Sequence, residues 1–448
     1  VLKILRMVEF LRPRYHVVVA NPPYMGGKGM NENLKKYLTI HYAEVKSDLF
    51  SAFIIRNLYM TVPNGQLGFM TPFVWMFIST YEKLRDHLIS DATLTSLIQL
   101  EYSGFDGATV PICTFTLENA VKRDFKGGYI RLSDFRGSEN QAPKTLYAIK
   151  NPNCGWFYRS SAEDFGKIPG CPIAYWASDS FYNSFVSEKL SNFVWGEGKN
   201  VTSDNSKFVR LLWEVSRDKI GIDKKWLIYA KGGSFRKWAG NLEHVVDWSI
   251  DARKYYKTNK VGRIIPENMW FIEGITWTDI SSYGTGFRYL PPNTTFDATG
   301  ISVFFKENTN IFPFLSYLNS KVAASFLKIL NPTFHVQLID VKALPVKRAE
   351  VNNKTIYNMY QISKSDWDNL ENSYDYMINP LVTNVVPDKI LRTVYSKFRS
   401  LWNDLTFEMQ RLEEENNRIF IEAYGLQDEI TAEVPLKEIT LTCNPYYR

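Results

Sequence analysis

The chain has 448 residues, 45% hydrophobic and 22% charged, with a formal net charge of +6. That length is too great for one ordinary core and points to two or three domains of a globular protein. The charge is mild, permitting a nucleic-acid partner without requiring one. No apolar run reaches the roughly 20 residues of a membrane span, and the start does not resemble a signal peptide. A soluble, cytoplasmic protein without a membrane partner is therefore expected. Cys113, Cys154, Cys171 and Cys443 lie far apart without a CxxC pair, so reduced thiols and no zinc are expected. Aromatics reach 15%. That excess fits either large cores or a surface that stacks on flat ligands such as bases.

Residues 1–120 alternate strand and helix signals. Val17-Val18-Val19-Ala20, within a strand over Tyr15–Ala20, is short, apolar and mostly β-branched, as in a buried parallel strand. Leu34, Tyr37, Leu38 and Tyr42 repeat at helical spacing. Asp48 offers a cap for a second helix carrying Leu49, Phe53, Ile54 and Leu58, which Pro63-Asn64-Gly65 brings to a stop. A strand is predicted over Leu67–Thr71, a helix on Tyr81, Leu84 and Leu88, a strand over Leu94–Leu100, and an edge hairpin at Pro111–Leu117. This alternation predicts a doubly wound α/β sheet. The chain opens with Val1 and reaches its first strand within a few residues, so a preceding part of that sheet is expected to be missing.

Residues 121–345 are rich in Pro, Gly, Asn, Trp and short strand-like pieces, which predicts a mixed, loop-rich domain. Residues 346–448 turn helical. Leu391, Val394, Phe398, Leu401, Leu405 and Leu412 share a face, and Gly425 is placed to close the helix.

The sharpest signal is Asn21-Pro22-Pro23-Tyr24, directly after an apolar strand. Ligands of α/β sheets sit beyond the carboxyl ends of the strands. Adenine's exocyclic amine is a poor nucleophile because its lone pair is delocalised into the ring. Two acceptors on its two hydrogens favour a pyramidal nitrogen and localise that pair. The Asn21 side-chain oxygen is one such acceptor, and the Pro22 carbonyl is the other. Consecutive prolines fix φ and push the preceding residue into an extended form. Tyr24 adds a flat face for the purine. Transfer from a sulfonium donor then needs alignment more than a strong base, and no metal.

These residues, with Asp48-Leu49-Phe50 and Gly65-Gln66-Leu67-Gly68-Phe69-Met70-Thr71-Pro72, resemble the class I adenine-N6 DNA methyltransferases. Leu318–Lys321, Asn331–Thr333 and Ile339–Pro345 resemble their target recognition domains, and nearly the whole chain is similar to the large methyltransferases of BREX phage-defence systems. The resemblance implies S-adenosylmethionine as cofactor and double-stranded DNA as partner, beside other proteins of a phage-defence or restriction-modification system. It implies that Asn21 and Pro22, on the rigid corner made with Pro23, bind the target amine. Tyr24 would stack on the flipped adenine, and Phe105, in a loop before the terminal hairpin, would be a second stacking residue. The family's glycine-rich donor loop should precede Asn21, but the 20 residues before it contain no Gly. Gly26-Gly27-Lys28-Gly29 comes after the catalytic strand and reads as a loop near the active site.

Residues 221–263 hold ten Lys and Arg against four acids, interleaved with Trp226, Tyr229, Phe235, Trp238, Trp248, Tyr255 and Tyr256. Basic plus aromatic suits phosphate contact and stacking; the bland alternative is a solvated face over a Trp-rich core. Lys231, Arg236, Lys237, Arg253 and Lys254 are the candidates. Arg288, in the turn Ser282–Arg288, is placed to read guanine or to make a structural salt bridge. His16, His41, His87, His244 and His335 show no ligand spacing.

The expected architecture is α/β: a truncated Rossmann-like methyltransferase sheet over 1–120, a mixed α+β target recognition domain over 121–345, and a helical C-terminal region over 346–448. The expected function is site-specific DNA adenine-N6 methylation by a protein present here without its donor-binding motif. An NPPY methyltransferase acting on RNA or protein glutamine, and a non-catalytic DNA-binding module, remain alternatives. This chain alone should bind S-adenosylmethionine weakly or not at all. Calorimetric titration checks this, and a tight donor isotherm would refute it.

Overall fold

The computed structural model describes residues 2–102, 104, 110–307, 309–333, 335–383 and 391–447. It divides into two compact units, Val1–Val186 with Ile329–Asn331, and Ser187–Lys328 with Pro332–Arg448.

In the first unit, α1 (Leu2–Leu11) leads into β1 (Tyr15–Ala20), and α2 (Glu32–His41) and α3 (Leu49–Tyr59) precede β2 (Thr61–Pro72). Next come α4 (Glu82–Asp91), β3 (Thr93–Gln99), β4 (Ile112–Glu118), β5 (Lys126–Arg131), α5 (Ser138–Lys150) and β6 (Phe157–Ser161). The strands form one sheet in the order β1-β2-β4-β3-β5-β6, which extends past residue 120. β1 runs parallel to β2 and β3 to β5, while β4 lies antiparallel between β2 and β3.

Local signals explain the helices. Asn31 caps α2 by accepting from Leu34 N at 2.9 Å, and Asp48 caps α3 by accepting from Phe50 N at 3.2 Å. Pro63-Asn64-Gly65 falls inside β2 as a bulge: Tyr15 pairs with Thr61, but Val17 already pairs with Gln66. Gly65 is required there, since a Cβ would lie 2.5 Å from Thr61 Cγ2 and 2.9 Å from the His16 carbonyl oxygen. The core joins α3 and α4 to the sheet through Ile54, Leu58, Leu84, Leu97 and Phe115, all buried. Arg85, also buried, donates to the carbonyls of Trp75, Ile78 and Gly170 at 2.8–2.9 Å and so fixes the segment after β2.

Two expectations for this sheet need correction. The Pro111–Leu117 segment is not an edge, because β4 pairs on both sides. The valine-rich strand is not buried. β1 is the sheet's edge, with Val17 62% and Val19 77% exposed. Helix α1 beside it in sequence buries none of its residues.

The second unit holds two four-stranded sheets. One is ordered Thr294–Phe296, Trp226–Ala230, His244–Asp247, Val209–Leu211; the other Arg288–Leu290, Gly274–Thr276, Ser302–Phe305, Val194–Trp195. The helices Asn353–Asp368 and Leu391–Tyr424 pack together within this unit. The long helix ends as its sequence predicts. Gly425 takes φ +69°, while Leu426 N donates to Ile421 O at 3.0 Å and Gly425 N to Glu422 O at 3.1 Å.

Arg236, Lys237 and Arg288 lie inside this unit, not on a DNA-facing surface. Arg236 is 3% exposed and donates to Asp366 Oδ2 at 2.9 Å and to the carbonyls of Ala239, Ser363 and Thr440. Lys237 pairs with Glu413, which also accepts from Trp238 Nε1 at 2.8 Å. Arg288 is 2% exposed and donates to the carbonyls of Arg236 and Gly286. Tyr283 at the head of the turn before it is 84% exposed, but Gly286 is packed inside, where a Cβ would sit 2.2 Å from Arg236 O. A buried cation needs a partner to offset its desolvation, and removing such a partner costs about 3–5 kcal/mol. These residues therefore join strand, helix and C-terminal segment.

Candidate active site

β1 and β2 run side by side, with Ala20 paired to Phe69. Their carboxyl ends therefore open at one place, and Asn21-Pro22-Pro23-Tyr24 leaves β1 there. Pro22 is buried, whereas Asn21, Pro23 and Tyr24 are exposed. The Tyr24 hydroxyl lies 3.1 Å from Asn21 Oδ1 and 3.3 Å from the Met70 carbonyl. Its one proton serves one acceptor at a time. When it donates to Asn21, it orients that amide and leaves the oxygen a second lone pair. Burial, and then the nearby Cys113 thiol, push the Tyr24 phenol above its ordinary value, so it remains a donor at neutral pH.

The segment after Tyr24 is pinned from the other side. Met25 N donates to Asp48 Oδ1 at 3.0 Å, and Leu49 N returns a bond to Met25 O at 3.0 Å. The same Asp48 oxygen caps α3. One carboxylate thus ties the loop to the start of a helix. Phe50, the next motif residue, meets the Tyr24 ring edge-on at 6.5 Å and packs at 5.5 Å against Tyr81. Burial, reinforced by Asp48, raises the Tyr81 phenol to about 12. Tyr24 remains 38% exposed, enough to meet a flat ligand. Gly26-Gly27-Lys28-Gly29 is exposed and leaves this site through a bridge between Gly26 and Asp48.

The structure therefore brings the four motif residues together with Asp48, Phe50, Met70 and Tyr81. Asp48 was legible as a helix cap; its grip on Met25 was not, because that bond joins residues 23 apart in sequence. Phe105 lies outside the described residues. Among the described residues, no group of three or more His, Cys, Asp or Glu is arranged to hold a metal. No described helix is long and apolar enough to cross a membrane.

The basic candidates scatter within the second unit. Lys231 pairs with Asp297 at 2.6 Å, and Arg253 lies 4.9 Å over the Trp270 ring. Lys254 is exposed on the helix Ile250–Thr258. Burial, and then Arg236, lower the Arg288 guanidinium to about 9. Tyr229, Trp248 and Tyr256 from the same stretch form a core with Phe208. Most of the interleaved aromatics thus serve packing.

Residues 5–105 match the Eco57I restriction-modification methylase family. The chain is 33% identical over 464 aligned positions to the adenine-specific methyltransferase PglX of Lacticaseibacillus casei (strain Zhang), covering 98% of this chain and 38% of that protein. It is 32% identical to the adenine-specific methyltransferase BrxX of Escherichia coli O9:H4 (strain HS), over 98% of this chain and 36% of that one. The chain thus spans under two-fifths of the length of these relatives. Among solved structures, the type IIL restriction-modification enzyme MmeI in complex with DNA matches with a TM-score of 0.55 at 11% identity. That match covers 93% of this chain and 55% of MmeI and supports the fold.

Removing the Asp48 carboxylate should loosen the loop and the helix start together. Asp48→Ala is expected to cost about 1 kcal/mol through the lost cap alone and to accelerate hydrogen exchange at the Met25 amide. Asp48→Asn, which keeps an acceptor, should restore much of the protection. Unchanged exchange at Met25 in Asp48→Ala would show that the loop holds itself.

Proposed function

The chain is a homologue of the PglX-type adenine-specific methyltransferases, and we propose that it forms the acceptor-binding and DNA-reading part of a site-specific DNA adenine-N6 methyltransferase. The observation that carries this reading is the Tyr24 hydroxyl 3.1 Å from Asn21 Oδ1, at the mouth of two parallel strands. A polar acceptor is held there with one lone pair to spare, beside an exposed ring.

The chemistry follows from those groups. A target adenine leaves the duplex at a cost of a few kcal/mol. Stacking on Tyr24 returns roughly 1–3 kcal/mol. Asn21 Oδ1 and the Pro22 carbonyl accept the two amine hydrogens, which localises the nitrogen lone pair and sets its direction. The prolines hold this arrangement before substrate arrives, so little order is lost on binding.

These residues fix the acceptor nitrogen; they do not include a cradle for S-adenosylmethionine. The glycine-rich segment Gly26–Gly29 follows the catalytic strand, and Gly26 bridges to Asp48. α1 leaves Leu2, Ile4, Met7 and Phe10 each more than 60% exposed, and β1 is the edge strand among the described residues. Apolar surface of that kind belongs against more protein. The working enzyme is then a cytoplasmic one acting on duplex DNA in phage defence or restriction-modification.

In the intact enzyme, Asn21→Ala should lower methyl transfer on the order of 100-fold or more, as loss of one preorganised hydrogen-bonding group does elsewhere. DNA affinity should change little. Transfer of labelled methyl groups to DNA, RNA and protein acceptors measures this and separates the substrate classes. Full activity of Asn21→Ala, or transfer to RNA or protein alone, would contradict the reading.

A further inference from the structure

The helix Leu391–Tyr424 treats its charges in two different ways along its length. Toward its C-terminal end they are balanced: Arg411 pairs with Glu408 and Glu415, and Arg418 with Glu414. Residues 391–403 instead contain Arg392, Lys397 and Arg399 and no acid. All three cations are exposed. Among the described residues, none of them holds an ion pair. Arg392, in the first turn of the helix as described, works against the helix dipole, so helix stability does not explain it.

Their placement is regular. At 100° per residue, Arg392, Ser396, Arg399 and Asn403 fall within an arc of roughly 60°. Arg392, Arg399 and Asn403 carry donors, the Ser396 hydroxyl donates to the Arg392 carbonyl at 2.9 Å, and in this part of the helix Val394 is buried on the opposite face. At about 1.5 Å per residue the stripe runs for roughly 17 Å. A cleft of about 530 Å³ adjoins it, walled by Ser396, Arg399, Trp402 and Asn403 on one side and by Cys443 and Pro445 on the other. No carboxylate lines this cleft among the described residues.

We propose that this stripe is a phosphate-backbone contact, which grips one strand of duplex DNA. This rests on the DNA methyltransferase reading above. Along roughly 17 Å of axis, one strand of B-DNA presents about five phosphates. A neutral amide donor, here Asn403, beside guanidiniums is a mixture used on phosphate oxygens. The stripe contacts no base edges and carries no sequence preference.

The test uses the full chain and a fluorescein-labelled mixed-sequence duplex, with anisotropy followed between about 50 and 200 mM salt. Arg392→Ala/Arg399→Ala should reduce the slope of log affinity against log salt by about 2, equally for unrelated sequences. Arg411→Ala, on the same helix but already ion-paired, should leave the slope unchanged. Should the double variant fail to match the wild-type circular dichroism and melting midpoint, Arg399→Gln alone should lower the slope by about 1. An unchanged slope in folded variants, with normal wild-type binding, overturns the stripe and leaves the catalytic reading standing. Polyglutamate competing as well as DNA would assign the stripe to acidic polypeptides and overturn it too. A wild-type chain that binds no duplex overturns both.

Discussion

A single carboxylate organises the site. Asp48 Oδ1 accepts from Phe50 N at the head of α3 and from Met25 N in the loop leaving β1. The exit of the edge strand and the start of a buried helix are therefore one mechanical piece. Two prolines supply what a hydrogen bond cannot, a fixed φ without a donor to satisfy. Between these anchors, Asn21 and Tyr24 have their polar atoms set against each other before any substrate arrives. Such an arrangement suits a reaction governed by alignment rather than by acid–base exchange. The phenols of Tyr24 and Tyr81 are both pushed upward, which keeps them as neutral donors.

Much of the first unit was legible because its signals are local. The Asp48 cap and the proline corner each act within a few residues, as Gly425 does in the second unit, so the helix on Leu34, Tyr37 and Leu38, the start of the helix Leu49–Tyr59 and the end of the long helix fall where the sequence places them. What failed was neighbourhood. Apolar periodicity says that Val17–Ala20 is a strand, but not that β1 has one partner and β4 has two. Nothing local told that Pro63-Asn64-Gly65 would be absorbed as a bulge inside β2.

The basic stretch 221–263 shows the same limit for charge. Arg236 and Lys237 look like surface cations until Asp366 and Glu413, 130 and 176 residues further on, come into contact with them. Burial inverts their meaning: these cations join the sheet region to the helices and the C-terminal segment, whereas unpaired ones elsewhere remain available to a partner. The aromatics followed suit, with Trp238, Trp248 and Tyr256 inside. Counting charges along a sequence cannot separate these roles, because pairing across more than a hundred residues decides them. The stripe from Arg392 to Asn403 lies on a helix the sequence predicts by its apolar residues, and among the described residues its arginines lack the acidic partners of the balanced turns that follow.

In the proposed function a purine is received by the corner between Asn21 and Tyr24. The most direct measurement compares the affinity of the intact enzyme for its methylated site with the target adenine either paired or mispaired. A base already freed from its partner costs less to extrude, so tighter binding to the mispaired duplex is expected, and Tyr24→Ala should erase much of that gain. Equal affinity for the two duplexes, unaffected by Tyr24→Ala, would mean that no base enters this corner.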